Sequence, residues 1–93
     1  MKVTPDIIRE EFIGTTGAVT SSSHQGYLGI RGEVLNETRN TFTIKQNGQT
    51  KCVVKDQAVF QFQFSDGTIV EIDGKLLTGK PEDRLKKTVK RLW

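Results

Sequence analysis

The feature of this sequence that most constrains its fold is a change of hydrophobic period at Thr15. From there to Leu77 apolar and polar residues alternate, most clearly where Phe60, Phe62 and Phe64 are separated by glutamines. Such alternation indicates strands with one buried face, and the segment is rich in Val, Ile and Thr, which favour strands. Five or six short strands with no helix between them predict an antiparallel sheet or a small barrel. A parallel α/β fold is excluded because its crossover connections need helices.

Turn signals divide this segment into strands. Asn47-Gly48 is a strong two-residue hairpin signal, and Asp66-Gly67 marks a further turn. Gly29 and Gly32 lie within the longest strand candidate, where glycine indicates a sharp bend, as at a barrel corner. The predicted strands are residues 16–21, 27–35, 41–46, 51–55, 59–64 and 68–73.

Helix-start signals precede and follow the predicted sheet. Thr4-Pro5-Asp6 combines a capping hydroxyl, a proline at the first helical position and an acid in the first turn, which predicts a short helix ending at Gly14. Pro81-Glu82-Asp83 predicts a second helix, in which basic residues surround an apolar stripe. The chain therefore divides into an N-terminal helical extension (1–14), a β-barrel (15–79) and a basic amphipathic C-terminal helix (80–93).

The excess positive charge is concentrated at one end of the chain. Residues 1–79 carry eight Lys and Arg against nine Asp and Glu, whereas residues 80–93 carry six against two. This asymmetry indicates an anionic partner approached by the C-terminal segment, and nucleic acid is the commonest such partner. A helix whose outer face is merely kept solvated by lysines is the alternative that charge alone leaves open.

Composition also restricts the class of protein. One Cys and one His exclude an internal disulfide framework and any Cys/His zinc cage built by this chain alone. Low cysteine content favours a reducing compartment, which we expect to be the cytoplasm. No apolar run approaches the roughly 18–20 residues of a membrane span, and the first residues lack the apolar core of a secretory signal.

No constellation of catalytic residues emerges from the sequence. His24 lies in a polar loop and is expected to be solvated, while Cys52 is expected to be a small buried thiol. Glu71 and Asp73 share one face of a strand, which is usually the solvated face rather than a metal site. The three alternating phenylalanines are expected to form the core rather than to stack on bases. We therefore predict no catalytic and no metal-binding residue in this chain.

Two arginines are candidates for phosphate binding. Arg31 lies between two glycines, where no neighbouring side chain obstructs a phosphate, and Arg39 lies in a hairpin turn. An arginine in either place can bind phosphate through two parallel N–H groups. Pairing with Glu33 or Glu37 is an equally good reading of the spacing alone.

Four blocks of the sequence form a distinctive set: Leu28–Val34, Asn36–Phe42, Asp56–Phe62 and Val70–Arg84. Together and in this order they resemble the small Sm-like protein subunit of archaeal and eukaryotic ribonuclease P. The resemblance extends from about Pro5 to Lys87, although the loop Ser21–Gly26 and the strand with Cys52 depart from the pattern. It implies a strongly bent, six-stranded antiparallel barrel with short N-terminal and C-terminal helices.

The resemblance also implies a function. In this ribonucleoprotein the RNA subunit, together with magnesium, cleaves the 5′ leader from precursor tRNA, so the chain is expected to be an accessory subunit without a bound cofactor. Its implied partners are the ribonuclease P RNA, a zinc-ribbon protein subunit and the other proteins of the particle. The expected RNA contacts are Arg31, Arg39, Lys75, Arg84, Lys86, Lys87, Lys90 and Arg91. The expected protein contacts are the apolar residues Ile7, Ile8, Phe12, Leu85 and Val89.

Two other functions remain alternatives on the sequence. A different RNA-binding barrel, from the ribosome or from an Sm-type ring, fits the composition equally well but not the four blocks. A self-sufficient nuclease is the weakest reading, because no set of acid, base and metal ligands converges.

Overall fold

The structure, a computed structural model, describes residues 11–78 and the backbone of Lys90–Arg91. The strands are β1 Thr16–Ser22, β2 Arg31–Glu37, β3 Thr41–Gln46, β4 Gln49–Val54, β5 Ala58–Gln63, β6 Ile69–Asp73 and β7 Lys90–Arg91. The first six form one antiparallel sheet in the order β4-β3-β2-β1-β5-β6, and the two-residue β7 pairs with β6. The mainly β, antiparallel fold predicted from the sequence is confirmed.

Three short 3₁₀ segments connect the strands: turn A (Gln25–Tyr27), turn B (Lys55–Gln57) and turn C (Gly74–Leu77). Turn A replaces the first part of the predicted strand 27–35, which begins only at Arg31. The cause is local, because the His24 side chain accepts a hydrogen bond from the Gly26 N–H at 3.1 Å and caps the turn.

The sheet is strongly bent. β3 and β5 are separated by two strands, so their side chains would lie about 14 Å apart on a flat sheet. The ring centroids of Phe42 on β3 and Phe60 on β5 are nevertheless 5.2 Å apart. Register shifts in the β1–β5 and β2–β3 ladders supply bends. Gly32 permits close approach of β2 to β3, since a Cβ there would lie 1.8 Å from the Lys45 carbonyl oxygen.

The concave face of the sheet encloses a core rich in phenylalanine. Phe60 and Phe62 are fully buried, and Phe64 packs against the core from a half-buried position, as the alternation predicts. Phe12 is also 0% exposed and stacks on Phe62, with ring centroids 4.2 Å apart. The expectation that Phe12 contacts a protein partner is therefore wrong, because its ring fills the core of its own chain.

Both predicted helices fall largely outside the described residues. Glu11 and Phe12 are not helical, and the chain turns at Gly14, whose φ of 90° suits the predicted stop. The predicted helix over residues 80–93 does not extend to its last residues, because Lys90–Arg91 form β7. The outer edge of β6 presents hydrogen-bonding groups, and pairing of Lys90 with Glu71 satisfies some of them.

Candidate nucleic-acid interface

The three predicted RNA-contact residues with described side chains are all exposed, but they lie in two places. Arg31 begins β2 on the convex face of the sheet, opposite Ala18 of β1. It borders a shallow depression that also involves Gln61 and Gln63 of β5. Arg39 and Lys75 are not on this face, so the three residues do not form a single phosphate clamp.

Arg39 and Lys75 lie at the end of the sheet where turn B connects β4 to β5. Arg39 belongs to the β2–β3 turn, which turn B contacts through a hydrogen bond from the Lys55 N–H to the Asn40 carbonyl at 2.7 Å. Lys75 belongs to turn C on the other side, where a Cβ on Gly74 would lie 1.7 Å from the Lys55 carbonyl oxygen. Turn B therefore holds both basic residues at one end of the molecule.

Lys55 is the residue that organises this end, although no sequence motif singles it out. Its side chain is 0% exposed and forms an ion pair with the Glu37 carboxylate at 2.6 Å. The ammonium group also donates to the carbonyl oxygens of Thr38 at 2.7 Å and Arg39 at 3.3 Å. Four residues of the β2–β3 connection, Glu37 to Asn40, are thus bound by one lysine.

The surroundings of Lys55 are apolar as well as polar. The ammonium group lies 4.8 Å from the centroid of the Phe42 ring, which is itself buried. Burial lowers the pKa of Lys55 from 10.5 to about 8. The side chain therefore remains mostly protonated at neutral pH and keeps its ion pair with Glu37.

This pair bears on the alternative reading, in which Arg31 and Arg39 pair with Glu33 or Glu37. Glu37 was the alternative partner for an arginine in this region, but its carboxylate binds Lys55 instead. Among residues 11–78, Arg31, Arg39 and Lys75 have no ion-pair partner. Their charges remain available to an anionic ligand.

Turn C fixes Lys75 through a capping carboxylate. Asp73 ends β6, and its Oδ1 accepts a hydrogen bond from the Lys75 N–H at 3.0 Å. Glu71, on the same face, accepts a hydrogen bond from the Thr20 hydroxyl at 3.3 Å. The solvated face predicted for Glu71 and Asp73 is confirmed, since Asp73 is exposed and Glu71 half-buried.

His24 and Cys52 do not form a catalytic pair. His24 is exposed as predicted, but it is ordered by its capping bond and by stacking on Tyr27, with centroids 4.4 Å apart. Cys52 is exposed, and the prediction of a buried thiol is wrong. It alternates with the buried Val53 along the edge strand β4, so its side chain lies on the outer face.

The other predicted site residues lie where side chains are not described. These are the RNA-contact candidates Arg84, Lys86, Lys87, Lys90 and Arg91 and the protein-contact candidates Ile7, Ile8, Leu85 and Val89. Within residues 11–78, no group of three or more His, Cys, Asp and Glu side chains is arranged to bind a metal ion. In the same part of the chain no helix has the length and apolar character of a membrane span.

Comparison with known proteins identifies the family. The family described as Ribonuclease P/MRP, subunit p29, matches residues 5–87. A relative from Methanococcus maripaludis, named Ribonuclease P protein component 1, is 43% identical over 91 residues, covering 95% of each chain. A protein of the same name from Methanocaldococcus jannaschii is 44% identical over 93 residues, covering 98% of this chain and 97% of the relative.

A solved structure agrees with these relatives. The structure of Mth11, described as a homologue of human RNase P protein Rpp29, matches with a TM-score of 0.62 and 42% identity. The match covers 82% of this chain and 99% of that one. The resemblance seen in the four sequence blocks is thereby confirmed. The chain belongs to the ribonuclease P/MRP subunit p29 family and is a protein subunit of ribonuclease P.

Proposed function

We propose that this chain is a non-catalytic subunit that binds the ribonuclease P RNA and supports RNA-catalysed removal of the 5′ leader from precursor tRNA. The observation that supports the RNA-binding role is that some basic residues are paired inside the fold while others are exposed and unpaired. Lys55 forms a buried ion pair with Glu37. Arg39 and Lys75, on either side of Lys55, are exposed and have no ion-pair partner among residues 11–78.

The physical basis of this role is neutralisation of phosphate charge. A folded RNA crowds phosphates together, and a protein that neutralises them stabilises the compact RNA and releases counterions. Residues 11–78 carry six Lys and Arg against seven Asp and Glu, so the sheet itself has no positive excess. Residues 80–93 therefore supply most of the attraction in this proposal, and Arg31, Arg39 and Lys75 position the RNA on the sheet.

The accessory role is supported by what three of the acidic and imidazole groups within residues 11–78 do. Asp73 caps turn C, His24 caps turn A, and Glu37 is bound to Lys55. These groups stabilise the protein fold, so in this proposal the magnesium-dependent chemistry belongs to the RNA subunit. The chain assembles in the cytoplasm with the other proteins of the particle. Its zinc-ribbon neighbour contacts the apolar residues Ile7, Ile8, Leu85 and Val89.

An activity assay tests the accessory role. The purified chain alone should not cleave precursor tRNA, whereas adding it to ribonuclease P RNA should lower the magnesium concentration needed for cleavage, because protein charge replaces part of the cation atmosphere. Cleavage is measured as release of the labelled 5′ leader over a magnesium titration. Leader release by the chain without RNA would contradict the proposal, as would an unchanged magnesium requirement.

The salt dependence of binding tests the contribution of the C-terminal segment. If about four of its charges meet phosphates, replacing them should make the slope of log affinity against log salt less steep by about 3, using roughly 0.7–0.9 per contact. The variant is Lys86→Gln, Lys87→Gln, Lys90→Gln and Arg91→Gln combined. Lys45→Gln with Lys51→Gln is the control, since neither residue is a predicted RNA contact. A slope unchanged by the fourfold variant would contradict the assignment.

A further inference from the structure

An open cleft lies where the end of β1, turn B and turn C meet. Its volume is about 210 Å³. Pockets for drug-sized molecules have volumes of about 300–1,000 Å³, so this cleft suits a smaller group such as a single nucleobase. It is lined by Ser21–Ser23, Asp56–Val59, Asp73 and Lys75.

The lining of the cleft combines an apolar surface with polar groups. Ala58 faces the core, whereas the half-buried Val59 lies on the opposite face of β5 and offers an apolar surface against which a planar base can pack. Asp56 and Gln57 of turn B and the serines at the end of β1 surround that surface. An unpaired base presents the same combination, because its faces are apolar and its edge carries hydrogen-bonding groups.

Several of the polar groups are not used by the fold. The Ser22 hydroxyl donates to the Gln57 carbonyl at 2.6 Å, and Asp73 caps turn C. By contrast, the side chains of Asp56 and Gln57 form no hydrogen bond with any residue in 11–78. The exposed Asp56 carboxylate therefore presents two oxygens that can accept hydrogen bonds from a ligand.

These acceptors favour one base. A carboxylate accepts hydrogen bonds only, so the best partner presents two adjacent donors on one edge. Guanine does so through its N1–H and its exocyclic amino group, whereas uracil presents a single N–H between two carbonyls. The phosphate of the same nucleotide is repelled by Asp56 and Asp73 and attracted by the exposed Lys75 at the side of the cleft.

A second feature beside the cleft also suits single-stranded RNA. The His24 ring is exposed and stacks on Tyr27, with an interplanar angle of 17°. The His24 N–H donates to the Ser22 hydroxyl at 2.9 Å, which connects this aromatic pair to the wall of the cleft. Histidine and tyrosine rings are common platforms for unstacked bases, so a neighbouring nucleotide has a surface on which to stack.

We propose that this cleft binds one unpaired nucleotide of the RNA, with guanine favoured through Asp56. The inference rests on the proposed RNA-binding function and names the part of the RNA that reaches this end of the sheet. The base packs on Val59, its donor edge faces Asp56, and its phosphate lies toward Lys75.

Binding of short oligoribonucleotides to the full chain tests the proposal. The probes are a single-stranded oligouridylate and the same strand with one central guanosine. The wild-type chain should bind the guanosine strand at least about fivefold more tightly, which is the lower range for a two-bond base contact. Asp56→Asn should abolish this preference without weakening the affinity for the oligouridylate, because it removes the acceptor pair and one repulsive charge but no basic residue. Glu33→Gln on the convex face is the control and should keep the preference.

Affinities are measured by fluorescence anisotropy at one fixed salt concentration, with binding of the whole ribonuclease P RNA measured in parallel. Equal affinities for the two probes, or a preference that survives in Asp56→Asn, would overturn the guanine site. Failure of both probes to bind while the whole RNA binds would overturn it too. Failure of the whole RNA to bind would instead reject the proposed function.

Discussion

Replacing Lys55 by methionine should destabilise the protein by about 3–5 kcal/mol, the usual cost of removing one member of a buried ion pair. The Glu37 side chain is 5% exposed, so the variant leaves a carboxylate in the interior without its ammonium partner. It also removes the donors that bind the Thr38 and Arg39 carbonyls. Urea unfolding followed by circular dichroism measures the change.

Two further variants separate the ion pair from loss of charge alone. Combining Lys55→Met with Glu37→Gln should recover a large part of the lost stability, because no charge is then buried without a partner. Lys45→Met removes a lysine from an exposed position and should change the unfolding free energy by less than about 0.5 kcal/mol. Equal effects of Lys55→Met and Lys45→Met would contradict the role assigned to Lys55.

The same lysine should make stability depend on pH in a defined direction. Since burial lowers the pKa of Lys55 to about 8, the unfolded chain binds more protons than the folded chain between about pH 8 and 10.5. The contribution of Lys55 to the unfolding free energy should therefore increase with pH across this window, by at most about 1.4 kcal/mol per pH unit. Below the folded pKa both states are protonated and this contribution is flat. Urea midpoints of wild type and Lys55→Met, measured across the window, should differ in this slope.

Replacing Phe12 by alanine should cost about 3–5 kcal/mol, the range for a fully buried phenylalanine. The ring stacks on Phe62 at 4.2 Å and meets the edge of Phe42 at 6.1 Å, so the substitution opens a cavity among aromatic side chains. Ile13→Ala is the matched control, because Ile13 is adjacent in sequence but 47% exposed. Thermal or urea unfolding distinguishes the two variants.

A protein-capture experiment distinguishes residues of the core from residues proposed to contact a protein partner in the N-terminal part of the chain. Under the proposed docking role of Ile8, Ile8→Asp should reduce capture of the zinc-ribbon subunit and leave the unfolding free energy close to that of wild type. The main effect of Phe12→Ala should be a lower unfolding free energy. If Phe12→Ala were as stable as Ile13→Ala and impaired only capture, the assignment of Phe12 to the core would be wrong.

The parts of the fold that local patterns control were predictable from the sequence. The strand Thr41–Gln46 was predicted with its observed bounds, because Asn47-Gly48 fixes the hairpin that follows it. The alternation of phenylalanine and glutamine also predicted that Phe60 and Phe62 lie in the core, because every second side chain of a strand lies on the same face. Turn A was missed because a histidine cap, which has no strong sequence signature, begins it.

The parts of the site that depend on distant residues were not predictable. Burial of Lys55 requires Glu37, which lies eighteen positions earlier on another strand. A lysine at the end of a strand is usually solvated, so no local pattern indicates an interior ion pair. The only available signal was its position directly after the apolar pair Val53-Val54. Exposure of Cys52 likewise follows from the pairing of β4 with β3, which places Val53 opposite the buried Phe42 and leaves Cys52 on the outer face.

The short pairing of β7 with β6 bears on how molecules of this protein avoid one another. A bare sheet edge is a template onto which a second copy can add its own strand. Here Arg91 lies opposite Val70 and Lys90 opposite Glu71, so part of that edge is already occupied by the most basic stretch of the same chain. Val70 and Glu71 are therefore already paired within the same chain, which leaves less of β6 as a template for a second copy.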